Sequence, residues 1–286
     1  MVDTHLIFVS GKGGTGKSAV AAGMAIARVR TGETVLAIDM AASPGLARHL
    51  GVASLAYQPR EIRDGLFGMA IDRAAALDEY LKLQLHIPQG APTSQMASAL
   101  SVLAETAPGV REIISIGKPV FEMRKGTWDT VIVDAPSLGQ FQSYLRAPRT
   151  ISELVPAGNV MRQAHTLETT ISDAELTTII LVTNPAELPI NETSETLSVL
   201  ASEGLASNPQ IVMNRVLPSA GIEAAHLDEI PIGPLREAAL LQTELEVEQM
   251  LWIDRLDTRW TLPYLRGVLT PSEVALQLSN VIAVSS

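Results

Sequence analysis

Residues Gly11–Ser18 read GKGGTGKS, and this octet decides the fold. It satisfies the pattern G-x-x-x-x-G-K-[ST]. An apolar run, His5–Ser10 (HLIFVS), precedes it, and an alanine-rich stretch, Lys17–Thr31, follows and stops at Gly32. A strand, a glycine loop and a helix in that order form a phosphate cradle. Gly11, Gly13, Gly14, Thr15 and Gly16 are expected to turn backbone N–H groups toward phosphate oxygens, because glycines allow close approach without a Cβ clash. The helix N-terminus adds its dipole. Lys17 is expected to bridge the β- and γ-phosphates, and Ser18 to ligate Mg²⁺. The expected cofactors are therefore ATP and Mg²⁺.

Working outward, further apolar, β-branched runs occur at Thr34–Asp39, Leu66–Asp72, Asp129–Asp134, Thr177–Thr183 and Pro209–Asn214, with a weaker one at Arg259–Leu265. Counting His5–Ser10, that makes about seven strands. Most show little alternation, as strands buried on both faces of a parallel sheet should. Helical stretches lie between them. The expected fold is an α/β doubly wound, mostly parallel sheet with helices on both faces, in one domain over residues 1–286. Residues 73–127 exceed one crossover and read as a helical insertion of about three pieces, broken by Pro88, Pro92, Pro108 and Pro119. Within it, Gln95–Leu103 and Val110–Ile116 carry short apolar stripes, read as core rather than as a groove for a client.

The chain has 286 residues, 47% hydrophobic and 18% charged, with a formal net charge of −10 and no cysteine. The length suffices for a large core. The acidic balance argues against nucleic acid and against anionic lipid. Lack of cysteine excludes disulfides, thiolate chemistry and Cys-ligated zinc. No signal peptide is read at the start, and no apolar run approaches the ~18 residues of a membrane span. A cytoplasmic protein without direct membrane insertion is expected. Glu244–Glu248 reads as a solvated helix face. The final stretch, Ser272–Ser286, lacks Lys and Arg and reads as a helix that packs back on the domain.

The cradle needs one lysine, and this one has a second, Lys12. GKGGTGKS resembles the deviant phosphate loop of the dimeric ATPases, among them the MinD and ParA proteins, the nitrogenase iron protein, the arsenite-pump ATPase and the tail-anchored-protein targeting ATPase. The resemblance implies that Lys12 reaches across a dimer interface to the partner's phosphates. Asp129–Pro148 (DTVIVDAPSLGQFQSYLRAP) resembles the second switch of the arsenite-pump group. There Asp134 would be the carboxylate holding Mg²⁺ through water, Gly139 the switch glycine, and the helix after it would close on Pro148. Thr183–Thr193 (TNPAELPINET) resembles that group's next strand-to-helix turn. Ile211–Arg215 (IVMNR) resembles its adenine-reading strand end, with Asn214 and Arg215 beside the base. On these residues the chain is identified as a member of the ArsA-like group, in a bacterial anion-transporting-ATPase-like branch.

Two departures shape the functional expectation. The group's first switch carries an Asp that orients the attacking water, and Ala41 occupies its place, with Asp39 two residues earlier. Alanine cannot position water. Hydrolysis is then slow, or supplied by a partner subunit, or rescued by Asp39. The group's metalloid and zinc cysteines are missing. The resulting expectation is an Mg·ATP-binding switch that works as a homodimer, or as a heterodimer with a paralogue, coupled to a protein or membrane-transport partner. The alternatives are an inactive pseudo-ATPase or regulatory subunit, and a MinD/ParA-type positioning ATPase.

Overall fold

The computed structural model describes residues 4–41, 44–84, 109–155, 157–221, 227 and 230–284. In chain order these form β1 (His5–Gly11), α1 (Lys17–Arg30), β2 (Val35–Asp39), α2 (Gly45–His49), β3 (Arg60–Arg63), β4 (Leu66–Ala70), α3 (Arg73–Gln84), α4 (Val110–Arg124), β5 (Thr130–Ser137), α5 (Leu138–Leu154), α6 (Asn159–Ser172), β6 (Thr177–Thr183), α7 (Glu187–Ser202), β7 (Gln210–Val216), α8 (Pro234–Ile253), β8 (Trp260–Pro263) and α9 (Pro271–Val284). The strands make one sheet in the order β3-β4-β2-β5-β1-β6-β7-β8. Every pairing is parallel except β3 with β4.

All seven strands expected from sequence are present, and β3 is an eighth. Its sequence, REIR, is mostly exposed and forms the antiparallel edge, joined to β4 by the Asp64-Gly65 turn. At the opposite edge β8 is four residues long and ends in Pro263.

β1 lies centrally, hydrogen-bonded to β5 and β6. Alternate side chains leave a strand on opposite faces, so β1 feeds two cores. Ile7 and Val9 join Ala37, Ile132, Ile180 and Val182 under α1, α2 and α9. Leu6 and Phe8 join Leu36, Ile38, Val131, Val133 and Leu181 under α4, α5 and α7. The result is three layers.

On the first face α1 is buried without interruption from Ala19 to Ala27. Small residues let α9 lie close: a Cβ on Gly23 would stand 3.1 Å from the Leu278 Cβ and 3.3 Å from the Ala275 carbonyl. Ala275, Leu278 and Ile282 of α9 are all buried, so the final helix does pack back on the domain.

Two expectations about proline are corrected. Pro119 lies inside α4, and α5 runs six residues past Pro148 instead of closing on it. In each helix buried side chains flank the proline: Ile116, Val120 and Met123 in α4, and Leu145, Ala147 and Ile151 in α5. Packing of those faces outweighs the single backbone hydrogen bond a proline removes. The Val110–Ile116 stripe contributes Ser115 and Ile116 to the interior. Gln95–Leu103 and Pro88, Pro92 and Pro108 lie outside the described residues.

A buried charge cluster ties α3 to α4. Lys118 and Glu122 have almost no exposed side chain, and the Lys118 ammonium reaches Glu79 at 2.6 Å and Glu122 at 2.8 Å. Tyr57 donates to the same Glu79 carboxylate. Burial first, then Glu79, drives the Tyr57 hydroxyl pKa well above its usual value. On α8 only Ala239 and Gln249 are buried, and the acidic run Glu244–Glu248 lies along it, with the Glu246 carboxylate capping the Ser219–Ala220 turn.

Candidate functional site

The loop Gly11–Gly16 leaves the C-terminal end of β1 and feeds α1 directly. Gly11 passes so close to the Val182 carbonyl of β6 that a Cβ there would collide with it. Gly16 precedes the first turn of α1 with φ +95°, a conformation that glycine adopts without cost. A Cβ on Gly16 would strike the Asn214 amide, whereas side chains at Gly13 or Gly14 would meet nothing. The loop is thus fixed at its two ends and open in the middle, as a cradle for phosphate oxygens must be.

Thr15 is buried, and both its backbone N–H and its hydroxyl point back to the Lys12 carbonyl, at 3.3 and 2.8 Å. The Asn214 amide donates to the Thr15 carbonyl at 2.8 Å. Asn184, oriented with its amide nitrogen toward the acceptors, donates to the same carbonyl at 3.2 Å and to the Asn214 backbone at 3.3 Å. Sequence reading assigned Asn214 to a base edge. In this structure its amide nitrogen fastens the loop. Arg215 beside it is the one non-glycine residue with positive φ, +59°, among the described residues. It sits where β7 and β8 lose register. Backbone strain of that kind is typical of a working position.

Below the loop, β2 and β5 place Asp39 and Asp134 side by side in register. Asp134 is 1% exposed, and neither of its carboxylate oxygens meets a partner at full hydrogen-bond geometry. Burial pushes its pKa up to about 7. The Ser18 hydroxyl lowers it, the Asp39 charge adds to the rise, and the Lys17 ammonium opposes it. Lys17 in turn has its pKa lowered by burial, with Asp134 acting against that shift, and donates to the Lys12 carbonyl at 3.3 Å. Asp39 accepts from the Ala41 N–H at 3.0 Å, which folds the chain back at the end of β2. Asp39, Asp134, Lys17 and Ser18 therefore meet at one point under the loop. Gly139 is exposed in the first turn of α5, two residues past Ser137, which pairs with Gly11.

Lys12 does not extend away from the subunit. Its ammonium is paired with Glu192 on α7. Neither Glu192 nor Asn184 stood out in the sequence as a site residue. Both lie in TNPAELPINET, where an Asn after a strand reads as a turn residue and a Glu in a helix as a surface charge.

A strand–cradle–helix unit with a buried carboxylate on the neighbouring strand is an arrangement found in nucleotide hydrolases. Sequence comparison narrows this. The anion-transporting ATPase family matches residues 4–157 and 153–229. This chain belongs to that family. Among similar members are ATPase BagA of Mycobacterium tuberculosis, 31% identical over 226 residues, 75% of this chain and 66% of BagA. ATPase GET3 of Chaetomium globosum is 26% identical over 255 residues, 75% of this chain and 74% of that protein. The chain spans just under two thirds of the mycobacterial relative's length. Both relatives are named ATPases. No helix among its described residues is long and apolar enough to cross a membrane.

The Mg²⁺ and ATP of such a family fit the residues present. Asp134 is a buried carboxylate with unmet acceptor capacity beside a hydroxyl, Ser18, and that donor set suits a hard divalent cation.

Proposed function

We infer that this anion-transporting ATPase family member is an Mg·ATP-dependent switch that works as a pair of subunits, with ATP held between them. The observation that supports it best is the buried, unpartnered Asp134 carboxylate below a loop that carries Lys17, Ser18 and the additional Lys12. The backbone of Gly11, Gly13, Gly14, Thr15 and Gly16 would bind the phosphates, with Lys17 on the β- and γ-oxygens. Ser18 and Asp134 would hold Mg²⁺, whose charge offsets that of the phosphate oxygens. Lys12 would serve the phosphates of the second subunit. Asn214 and Arg215 would border the base, and Gly139 at the start of α5 would answer the γ-phosphate. The partner subunit is a second copy or a paralogue, and closure is coupled to a protein or membrane-transport partner.

Hydrolysis is slow or partner-assisted in this reading, because Ala41 stands where a water-orienting carboxylate is expected. Asp39, beside Asp134 across the β2–β5 ladder, is the residue at hand to substitute. A second reading, a nucleotide-holding module without turnover, draws support from one contact. The Ala41 N–H donates to Asp39 Oδ1, which holds this carboxylate to the backbone at the end of β2.

Single-turnover hydrolysis of Mg·ATP, run beside Lys12→Ala, tests both. Hydrolysis that falls sharply in the variant supports the paired, active switch. ATP bound equally and left uncut by both proteins supports the holding module.

A further inference from the structure

We propose that Glu192 is a latch that retains Lys12 within its own subunit, and that movement of α5 releases Lys12 to act on a partner's phosphates. The proposal rests on the reading above that Lys12 works across the subunit interface.

Three sets of contacts carry it. The first is the pair itself. The Lys12 ammonium meets the Glu192 carboxylate, with side-chain exposures of 25% and 38%. A lysine held in this way cannot extend to another subunit. An ion pair this exposed is also weak enough to be broken by a competing anion such as a triphosphate.

The second set joins Glu192 to the helix after Asp134. Thr196, one turn further along α7, donates its hydroxyl to the Glu192 carbonyl at 2.8 Å. Gln142 of α5, three residues beyond Gly139, donates to that same Thr196 hydroxyl at 3.2 Å. Arg146 of α5 grips Glu203, just past the end of α7, with two bonds of 2.6 and 2.7 Å. α5 and α7 are thereby coupled along their length. A shift of α5 toward a γ-phosphate draws α7 with it and takes the Glu192 carboxylate from Lys12. Coupling of this kind needs a physical chain of contacts, and here each contact is present.

The third set is at the other end of Lys12. Its carbonyl accepts from the Thr15 hydroxyl at 2.8 Å and from the Lys17 ammonium at 3.3 Å. Phosphate oxygens would attract Lys17 away from that carbonyl. Residue 12 is therefore fastened through its side chain by Glu192 and through its backbone by Lys17, and ATP with its switch helix loosens both fastenings.

The test uses the full chain as wild type, Glu192→Gln and Lys12→Ala. Acetylation of Lys12 by an amine-reactive ester, without nucleotide, is read by mass spectrometry against Lys125 as an internal reference. Sedimentation velocity with Mg²⁺ and the non-hydrolysable analogue AMP-PNP gives the dimer fraction. Glu192→Gln is expected to label faster at Lys12, and to tighten the dimer about twofold to fivefold, the range for losing one exposed ion pair. High salt should speed Lys12 labelling in wild type and not in the variant. Equal labelling of wild type and Glu192→Gln overturns the latch and leaves the proposed function standing. Faster labelling with an unchanged or weaker dimer also overturns it, because the pair then withholds nothing. If Lys12→Ala dimerises as wild type does, action across the interface fails, and the latch fails with it. The conservative variant should keep the wild-type unfolding midpoint, which separates a latch from damage to α7.

Discussion

Replacing Asp134 by Asn should stabilise the protein in the absence of Mg²⁺ and nucleotide, and do so increasingly as pH rises. The carboxyl is buried and its pKa rises from 3.8 to about 7 on folding. The folded chain thus holds this proton more tightly than the unfolded chain. Stability from this group is fully present below pH ~4, is lost as pH rises through the window from ~4 to ~7, and stays lost above it. Three pKa units correspond to about 4 kcal/mol. An Asn amide does not titrate, and its own burial cost, on the order of 1–2 kcal/mol, is the same at every pH. The pH-dependent part of the difference is therefore diagnostic. Between pH 5 and pH 8 the advantage of Asp134→Asn over wild type should grow by about 2.5 kcal/mol. Urea unfolding at each pH, with EDTA present, measures it. Parallel stability curves across that range would refute the claim that burial of the Asp134 carboxylate outweighs the help it receives from Ser18 and Lys17. With Mg²⁺ and nucleotide the order should reverse, because only the carboxylate can hold the cation.

Four further outcomes follow from the geometry. Ala41→Asp places a carboxylate where the first switch lacks one, and should raise single-turnover hydrolysis about 10²-fold; no gain would mean that Asp39 already fills the role or that the loop does not reach the water. Gly16→Ala puts a Cβ into the Asn214 amide at a left-handed position, and should weaken fluorescent ATP-analogue binding more than it lowers the unfolding temperature. Gly23→Val forces α9 away from α1 and should cost about 1–3 kcal/mol in chemical denaturation. Lys118→Met leaves Glu79 without its cation and Glu122 with Lys125 alone, and should destabilise by up to about 3–5 kcal/mol, whereas the double change with Glu122→Gln recovers much of that.

The central sheet was legible because its strands are consecutive apolar runs, and strands covered on both faces need no polar alternation. β3 was not, since REIR holds a single apolar residue and an edge strand gains little by burial. The Asp64-Gly65 pair was the available signal, a turn dipeptide between two extended stretches. The helices containing Pro119 and Pro148 were read as broken because proline is judged locally, while Ile116, Val120, Leu145 and Ile151 hold those helices through tertiary packing. The site divides along the same line. Gly11 to Ser18 form one contiguous pattern, and Asp134 ends an apolar run, so each was visible. Glu192 was not, because it meets Lys12 across 180 positions of sequence and nothing in its own neighbourhood records the encounter.

The two borders of the sheet carry a consequence for assembly. Arg60, Glu61 and Arg63 set charge along one rim, and the other rim offers only four residues, the last of them Pro263, which lacks a donor. A neighbouring copy arriving at either rim would have to bury charge or forgo hydrogen bonds. Growth by strand addition, the route to fibres and open-ended stacks, is blocked on both sides. Among the described residues, the surfaces left for a meeting of copies are the helical faces and the loop-bearing end of the sheet, where contact can depend on what the loops hold.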